Sequence, residues 1–184
     1  MKNICFITTT RADYGLLKPL MLLIRDSEDF KLTLFVTGTH LSSKFGDSYK
    51  EIEKDFKITK KIDSNFDSDS NVATCKTMGL LQILFSESIS EQNAIDPIDM
   101  VVILGDRFEV LAITQVCFIQ RLKLCHISGG DVTEGAIDNA FRNCISQMSN
   151  YHLVTCDKSK DNLLQMGIKR ENIEILGNPG LEEL

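Results

Sequence analysis

Short runs of Ile, Val, Leu and Phe alternate with longer amphipathic segments along the whole chain, and this limits the fold more than any other feature. NICFIT (3–8), KLTLFVTG (31–38), FKITKKID (56–63), DMVVILGD (99–106), KLCHIS (123–128) and YHLVTC (151–156) read as strands, and ENIEILGNPG (171–180) as a last strand and turn. Helical segments lie between them at 16–27, 42–55, 71–95, 107–121, 136–150 and 157–167. The strands are apolar throughout instead of alternating, so both faces of the sheet must be covered. Strict β-α alternation with such strands specifies an α/β fold, a Rossmann-like parallel sheet with helices on both faces. FKITKKID is more polar and belongs nearer an edge. Pro19 fits its helix only in the first turn, Asp157 is placed as an N-cap, and Gly167 as a stop. SNFDSDSN (64–71) is a polar loop too short for a domain linker, and 184 residues suffice for one domain.

The net charge of −6 excludes a general nucleic-acid or anionic-membrane binder, because there is no basic excess to release counterions. A small phosphate ligand in a local basic pocket stays compatible with it. No stretch approaches the ~18 apolar residues of a membrane span, and MKNICFITTTRADYG is too short in its apolar run for a signal peptide. The cysteines at 5, 75, 117, 125, 144 and 156 form no C-x-x-C pair. They read as reduced, buried thiols of a cytoplasmic protein, with neither a metal site nor a disulfide framework.

In a parallel sheet, ligands gather at the carboxyl ends of the strands. TTTRADYG (8–15) follows the first strand, where a Thr-rich turn offers backbone N–H groups to an anion and Arg11 adds a charge. No G-x-G-x-x-G is present, so the dinucleotide fingerprint is absent. TGTHLS (37–42) puts His40 at the same edge, a residue type that serves structure as readily as catalysis. LGDRFEVL (104–111) supplies Gly105 for a tight turn, then Asp106, Arg107 and Glu109. Asp there suits a helix cap, but the three charges together exceed what a cap requires.

HISGGDVTEGAIDNAFR (126–142) follows the fifth strand. Gly129 and Gly130 permit close approach to a ligand or left-handed backbone, and Asp131, Glu134 and Asp138 are expected near one another. Crowded carboxylates beside a low-dielectric cleft have their pKa values driven apart, which suits acid/base work at neutral pH. The same acids also make turns and caps, and residue type alone leaves both readings open.

R-A-D-Y-G, T-G-x-H, G-D-R-x-E and H-I-x-G-G-D-x-T-E-G-x-x-D-x-x-x-R occur in that order after their strands, with G-N-P-G near the end. Together they resemble the hydrolysing UDP-N-acetylglucosamine 2-epimerases, in particular the sialic-acid and legionaminic-acid branch that includes polysialic acid biosynthesis proteins. The resemblance runs the length of the chain. It implies one half of a glycosyltransferase-B type enzyme, with residues 1–184 as the N-terminal Rossmann-like domain and the C-terminal nucleotide-binding domain absent. It implies loss of UDP across C1–C2 of the sugar to a 2-acetamidoglucal, then addition of water to give N-acetylmannosamine for sialic or related nonulosonic acid synthesis. It also implies a UDP-sugar as partner, no nicotinamide or metal, and a homo-oligomeric full-length enzyme.

Matched residue by residue, Arg11 corresponds to the family's arginine after the first strand and is assigned to the diphosphate or sugar side of the cleft. Asp106 matches a catalytic aspartate, with Arg107 and Glu109 beside it. Asp138 matches the acid opening the I-D-x-x-x-R helix, Arg142 its partner, and His40 the histidine of T-G-x-H. Ser128 stands where several members carry a catalytic glutamate, and Asp131 matches an acid common in the sialic-acid branch. Leu16 replaces a lysine of the other branch (Lys18 is out of register), and Asn139 replaces a second acid. The catalytic histidine of the family's second domain has no counterpart.

The expectation is therefore an enzyme with Asp106, Asp131 and Asp138 as acid/base residues, and Arg11, His40, Arg107, Glu109, Ser128 and Arg142 as substrate contacts. The 184-residue chain alone should turn over poorly or not at all. A glycosyltransferase-B transferase domain and a free-standing flavodoxin-like binding domain are the alternative readings.

Overall fold

The structure, a computed structural model, describes residues 1–66, 68, 70–133 and 137–177. Seven strands form one wholly parallel sheet in the order β3-β2-β1-β4-β5-β6-β7. They are β1 (Lys2–Thr8), β2 (Phe30–Thr37), β3 (Lys60–Ile62), β4 (Met100–Leu104), β5 (Leu124–Ile127), β6 (Tyr151–Val154) and β7 (Ile173–Ile175). The helices are α1 (Arg11–Arg25), α2 (Tyr49–Asp55), α3 (Asn71–Ile95), α4 (Phe108–Ile119), α5 (Asp138–Met148) and α6 (Asp157–Gln165).

Successive residues of a strand point to opposite faces, and here each face has its own core. Ile4 and Phe6 of β1 join Leu34 and Val36 of β2 beneath Tyr14, Leu17 and Met21 of α1 and Ile52 of α2. Cys5 and Ile7 point the other way, with Phe35, Val101 and Ile103, against Leu81, Phe85 and Ile89 of α3. Leu17, Met21 and Phe85 are fully buried, each contributing about 2–3 kcal/mol of transfer free energy. Coverage on both faces is what the continuous apolar strands demand. The polar β3 does sit at the edge, where Lys60 and Lys61 pair with Glu91 and Glu53.

Several local expectations need correction. α1 begins at Arg11, not near Leu16, because Thr10 caps it and Asp13 reciprocates in a capping box. Pro19 therefore lies in the helix interior. The Gly15 carbonyl, four residues back, has no N–H to receive, and Gly15 is exposed so that water can bond it. Ser43–Phe45 form a short 3-10 turn closed by Gly46 at φ 82°, and only Tyr49–Asp55 forms α2. Asp157 is the first residue of α6 instead of its cap; the cap is Cys156. Gly167 does stop α6, at φ 88° with its N–H on the Leu164 carbonyl. Cys5, Cys117 and Cys125 are buried as expected, but Cys75, Cys144 and Cys156 are exposed. Glu134 and the G-N-P-G turn past Gly177 lie outside the described residues. Among those residues no helix is long and apolar enough to cross a membrane.

Candidate functional site

The strand order reverses direction between β1 and β4, and a parallel sheet opens a crevice beyond its strand ends at such a switch point. The β1 side is a closed turn. Asp13 Oδ2 accepts from the Thr9 and Thr10 backbone N–H groups at 3.3 and 3.1 Å and from the Thr9 hydroxyl. Those two amides are thus already used, contrary to the expectation that the turn offers them to an anion. Arg11 is 60% exposed and bonds Glu51 of α2 at 2.7 Å. His40 is fully buried, with Nε2 2.9 Å from Thr8 Oγ1 and Nδ1 2.8 Å from Ser48 Oγ. Both of its nitrogens brace the turns after β1 and β2 in this arrangement. Burial lowers its pKa to about 4, outweighing the Thr10 backbone bond that acts to raise it.

The β4 side carries free chemistry. Gly105 turns at φ 81°, and Arg107, not Asp106, is the N-cap of α4 and makes no side-chain cap. Relieved of capping, Asp106 accepts from Nη2 of Arg142 on α5. The pair is largely removed from water, Arg142 being 10% and Asp106 21% exposed in their side chains. Arg107 holds Glu109 through Nε and Nη2 at 3.1 and 2.8 Å, and Glu109 is 2% exposed. Burial opposes the Arg107 charge, but the Glu109 bonds and the nearby carboxylates of Glu109, Asp13 and Asp138 together raise its pKa above the ordinary value. Arg107 thus stands in the field of carboxylates that follow β1, β4 and β5.

Beyond β5, Ser128 adopts φ 64° with its N–H on the Leu153 carbonyl at 2.9 Å. A non-glycine residue there stores roughly 1–3 kcal/mol of strain, a cost that concentrates at functional turns. Asp131 accepts from Thr155 Oγ1 at 2.8 Å and from Ser159 Oγ. It lines a hollow of about 440 Å3 together with Arg142, Cys156, Lys158 and Asn162. Arg142 therefore links two of the three expected acids, bonded to Asp106 and bordering the same hollow as Asp131. Asp138, first residue of α5, is reached through the field of Arg107. A hollow of about 550 Å3 lined by Phe118, Leu122 and Met148 is larger. It lies at the amino ends of β5 and β6, so volume does not mark the site.

The sequence profile of the UDP-N-acetylglucosamine 2-epimerase family matches residues 23–184. The chain belongs to that family. It is 42% identical over 96% of its length to the GDP/UDP-N,N'-diacetylbacillosamine 2-epimerase (hydrolyzing) of Campylobacter jejuni, covering 45% of that protein. It is 39% identical over 99% of its length to a UDP-N-acetylglucosamine 2-epimerase of Neisseria meningitidis, covering 46%. The chain thus spans about half the length of these relatives. The fold superposes on 46% of the Methanocaldococcus jannaschii UDP-GlcNAc 2-epimerase in complex with UDP-GlcNAc and UDP, with TM-score 0.81, 19% identity and 96% of this chain aligned. The Rossmann-like sheet is one half of the glycosyltransferase-B type architecture of such epimerases.

Within this epimerase-family domain Gly130, after β5, is pressed against α6. A Cβ on Gly130, at φ 76°, would lie 2.1 Å from the Ser159 carbonyl oxygen. Gly130→Ala is expected to destabilise the domain by at least about 2 kcal/mol. Gly15→Ala, with nothing within 4 Å of its Cβ in a helix interior, should be neutral or stabilise by up to about 1 kcal/mol. Urea denaturation of both variants checks the contrast.

Sequence reasoning missed Asp13, His126, Thr155 and Ser159. Only Asp13 carried a local signal, the T-x-x-D spacing of a capping box. Cys156 was also misread as buried. The Ser159 hydroxyl and backbone, then the Thr155 hydroxyl, hold its thiol below the ordinary value. At pH 7 iodoacetamide should modify Cys156 several-fold faster than the other exposed thiols, Cys75 and Cys144. Peptide mass spectrometry reads the order, and equal rates would refute it.

Proposed function

We propose that residues 1–184 are the N-terminal domain of a hydrolysing UDP-sugar 2-epimerase, with a second domain completing the nucleotide site. UDP-N-acetylglucosamine is the proposed substrate, and N-acetylmannosamine and UDP the products, for sialic or related nonulosonic acid synthesis. The observation that carries the reading is the Asp106–Arg142 pair at the switch-point crevice, with Arg142 and Asp131 lining one hollow beside it. A carboxylate takes the C2 proton, the C1–O bond breaks, and its electron pair leaves with UDP, giving the 2-acetamidoglucal. Water oxygen then bonds C1 and a proton adds to C2 from the opposite face, releasing the free sugar. Asp106, Asp131 and Asp138 are the proposed proton carriers.

Arg142 holds the Asp106 carboxylate in place through its Nη2 hydrogen bond. Arg107, fixed by Glu109, and Arg11, at the rim, supply positive charge toward the diphosphate. Ser128 places the β5 loop, while His40 contributes through the turn after β1. The reading extends to a cytoplasmic homo-oligomer, the setting implied by the resemblance.

With half the length of its relatives, the chain alone cannot orient the nucleotide, and misplaced substrate loses most of the rate. The 184-residue chain is therefore expected to release UDP at least about a hundredfold more slowly than the intact enzyme. Coupled UDP detection tests this. Comparable rates would sink the division of the site between two domains.

A further inference from the structure

His126 is fully buried on β5, and its two nitrogens touch the two elements that carry the Asp106–Arg142 pair. Nε2 lies 2.7 Å from the Gly105 carbonyl oxygen. A carbonyl only accepts, so Nε2 bears the hydrogen. In a neutral ring Nδ1 is then the acceptor, and the Ser146 hydroxyl stands 3.0 Å from it. Gly105 is thus held twice by β5, since its own N–H donates to the Ile127 carbonyl at 3.1 Å. Asp106 is the next residue, and Ser146 lies one helical turn beyond Arg142 on α5. The contacts close a ring: His126 to Gly105, Asp106 to Arg142, and Ser146 back to His126.

Gly129 leaves the ring its space, because a Cβ there would come within 3.0 Å of both His126 Nδ1 and Ser146 Oγ. A purely space-filling residue at this place would need neither polar bond. Resting on the function proposed above, we infer that His126 is a positioning residue. It fixes the β4 turn and α5 relative to each other, and so sets the geometry of the Asp106–Arg142 pair. It touches no substrate. Its ring stays neutral through the working pH range, because burial lowers its pKa to about 3 despite the opposing Gly105 bond.

The test compares His126→Phe, which keeps bulk and loses both bonds, with His126→Gln, which keeps a donor for the Gly105 carbonyl. In the intact enzyme His126→Phe is expected to lower kcat about 30-fold with KM changed less than about threefold, since misplacement near 1 Å costs up to roughly a hundredfold. His126→Gln should recover most of that loss. The effects of His126→Phe and Arg142→Lys should be less than additive, because both disturb one pair.

Equal losses in the Phe and Gln variants, or additive losses with Arg142→Lys, would overturn the inference. So would an unchanged kcat in His126→Phe. Nitrogen NMR of the wild-type 184-residue chain provides a readout independent of activity and of variant folding. It should show the Nε2–H tautomer, untitrated from pH 7 to 6 where the domain stays folded, and the other tautomer or a titrating ring refutes the ring of contacts. If the intact wild type releases no UDP while this signature holds, the proposed function fails and the positioning geometry stands.

Discussion

Asp106→Asn in the intact enzyme is expected to reduce kcat about a thousandfold, within the usual range for removing a general acid or base. The structure separates this outcome from a structural one. Asp106 caps no helix, so its replacement does not unravel α4. Asn keeps the size of Asp and an oxygen to accept from Arg142, so the stability cost should stay near 1–2 kcal/mol. Only the negative charge and the ability to carry a proton are lost. A carboxylate that merely anchored Arg142 would be largely replaced by the amide, and activity would fall less than tenfold. Measuring kcat together with the thermal midpoint distinguishes the two. Near-wild-type turnover would remove Asp106 from proton transfer.

Acidification from pH 7 to 5 is expected to cost the fold about 5 kcal/mol. His40, His126 and His152 are all buried. Burial holds them near 4, 3 and 4 respectively, against opposing backbone hydrogen bonds at His40 and His126. Each would titrate near pH 6.5 once unfolded. Below that pH the unfolded chain binds protons that the folded chain refuses, so stability is lost as pH falls through about 6.5 and goes on falling toward the native values. Each ring contributes just under about 2 kcal/mol over the interval, and the sum rivals the whole stability of a modest domain.

His152 offers the cleanest separation. Among the described residues neither of its ring nitrogens has a side-chain or carbonyl partner at hydrogen-bond distance, and its ring sits edge-on to His126 at 6.3 Å. His152→Phe should therefore recover about a third of the acid loss while changing little at pH 7. Urea titrations at pH 7, 6 and 5 measure both slopes. A flat profile would contradict the buried, neutral histidines.

The architecture was legible because burial on both faces leaves its mark in every strand. Val101 to Leu104 can be uniformly apolar only in the middle of a covered parallel sheet. Residues 71–95 were readable to both ends of α3, with Ser70 capping it by accepting from Ala73 N–H. The start of α1 was misplaced where two local rules conflicted. The Thr10–Asp13 capping box, with the buried stripe Tyr14, Leu17 and Met21, outweighed the helix-interior penalty of Pro19.

The candidate residues were legible one by one, but their pairing was not. Asp106, Asp131, Asp138 and Arg142 stand at strand ends where ligands gather, and the resemblance marks the same residues. That Arg142 should bond Asp106, 36 residues earlier, follows from strand order and helix packing, which no local period encodes. Likewise Asp131 finds Thr155 and Ser159 in the following βα unit. The left-handed backbone allowed for Gly130 is present at φ 76°, but the approach of α6 that excludes a side chain there cannot be read from one segment alone.

The most direct test of proton transfer at C2 is turnover of UDP-N-acetylglucosamine by the intact enzyme in deuterium oxide, followed by NMR and mass spectrometry of the sugar. Elimination and hydration through Asp106 and its neighbours predict free N-acetylmannosamine carrying one solvent deuterium at C2, with UDP in equal amount. A product still joined to UDP, or a free sugar that retains the original hydrogen at C2, would contradict the account.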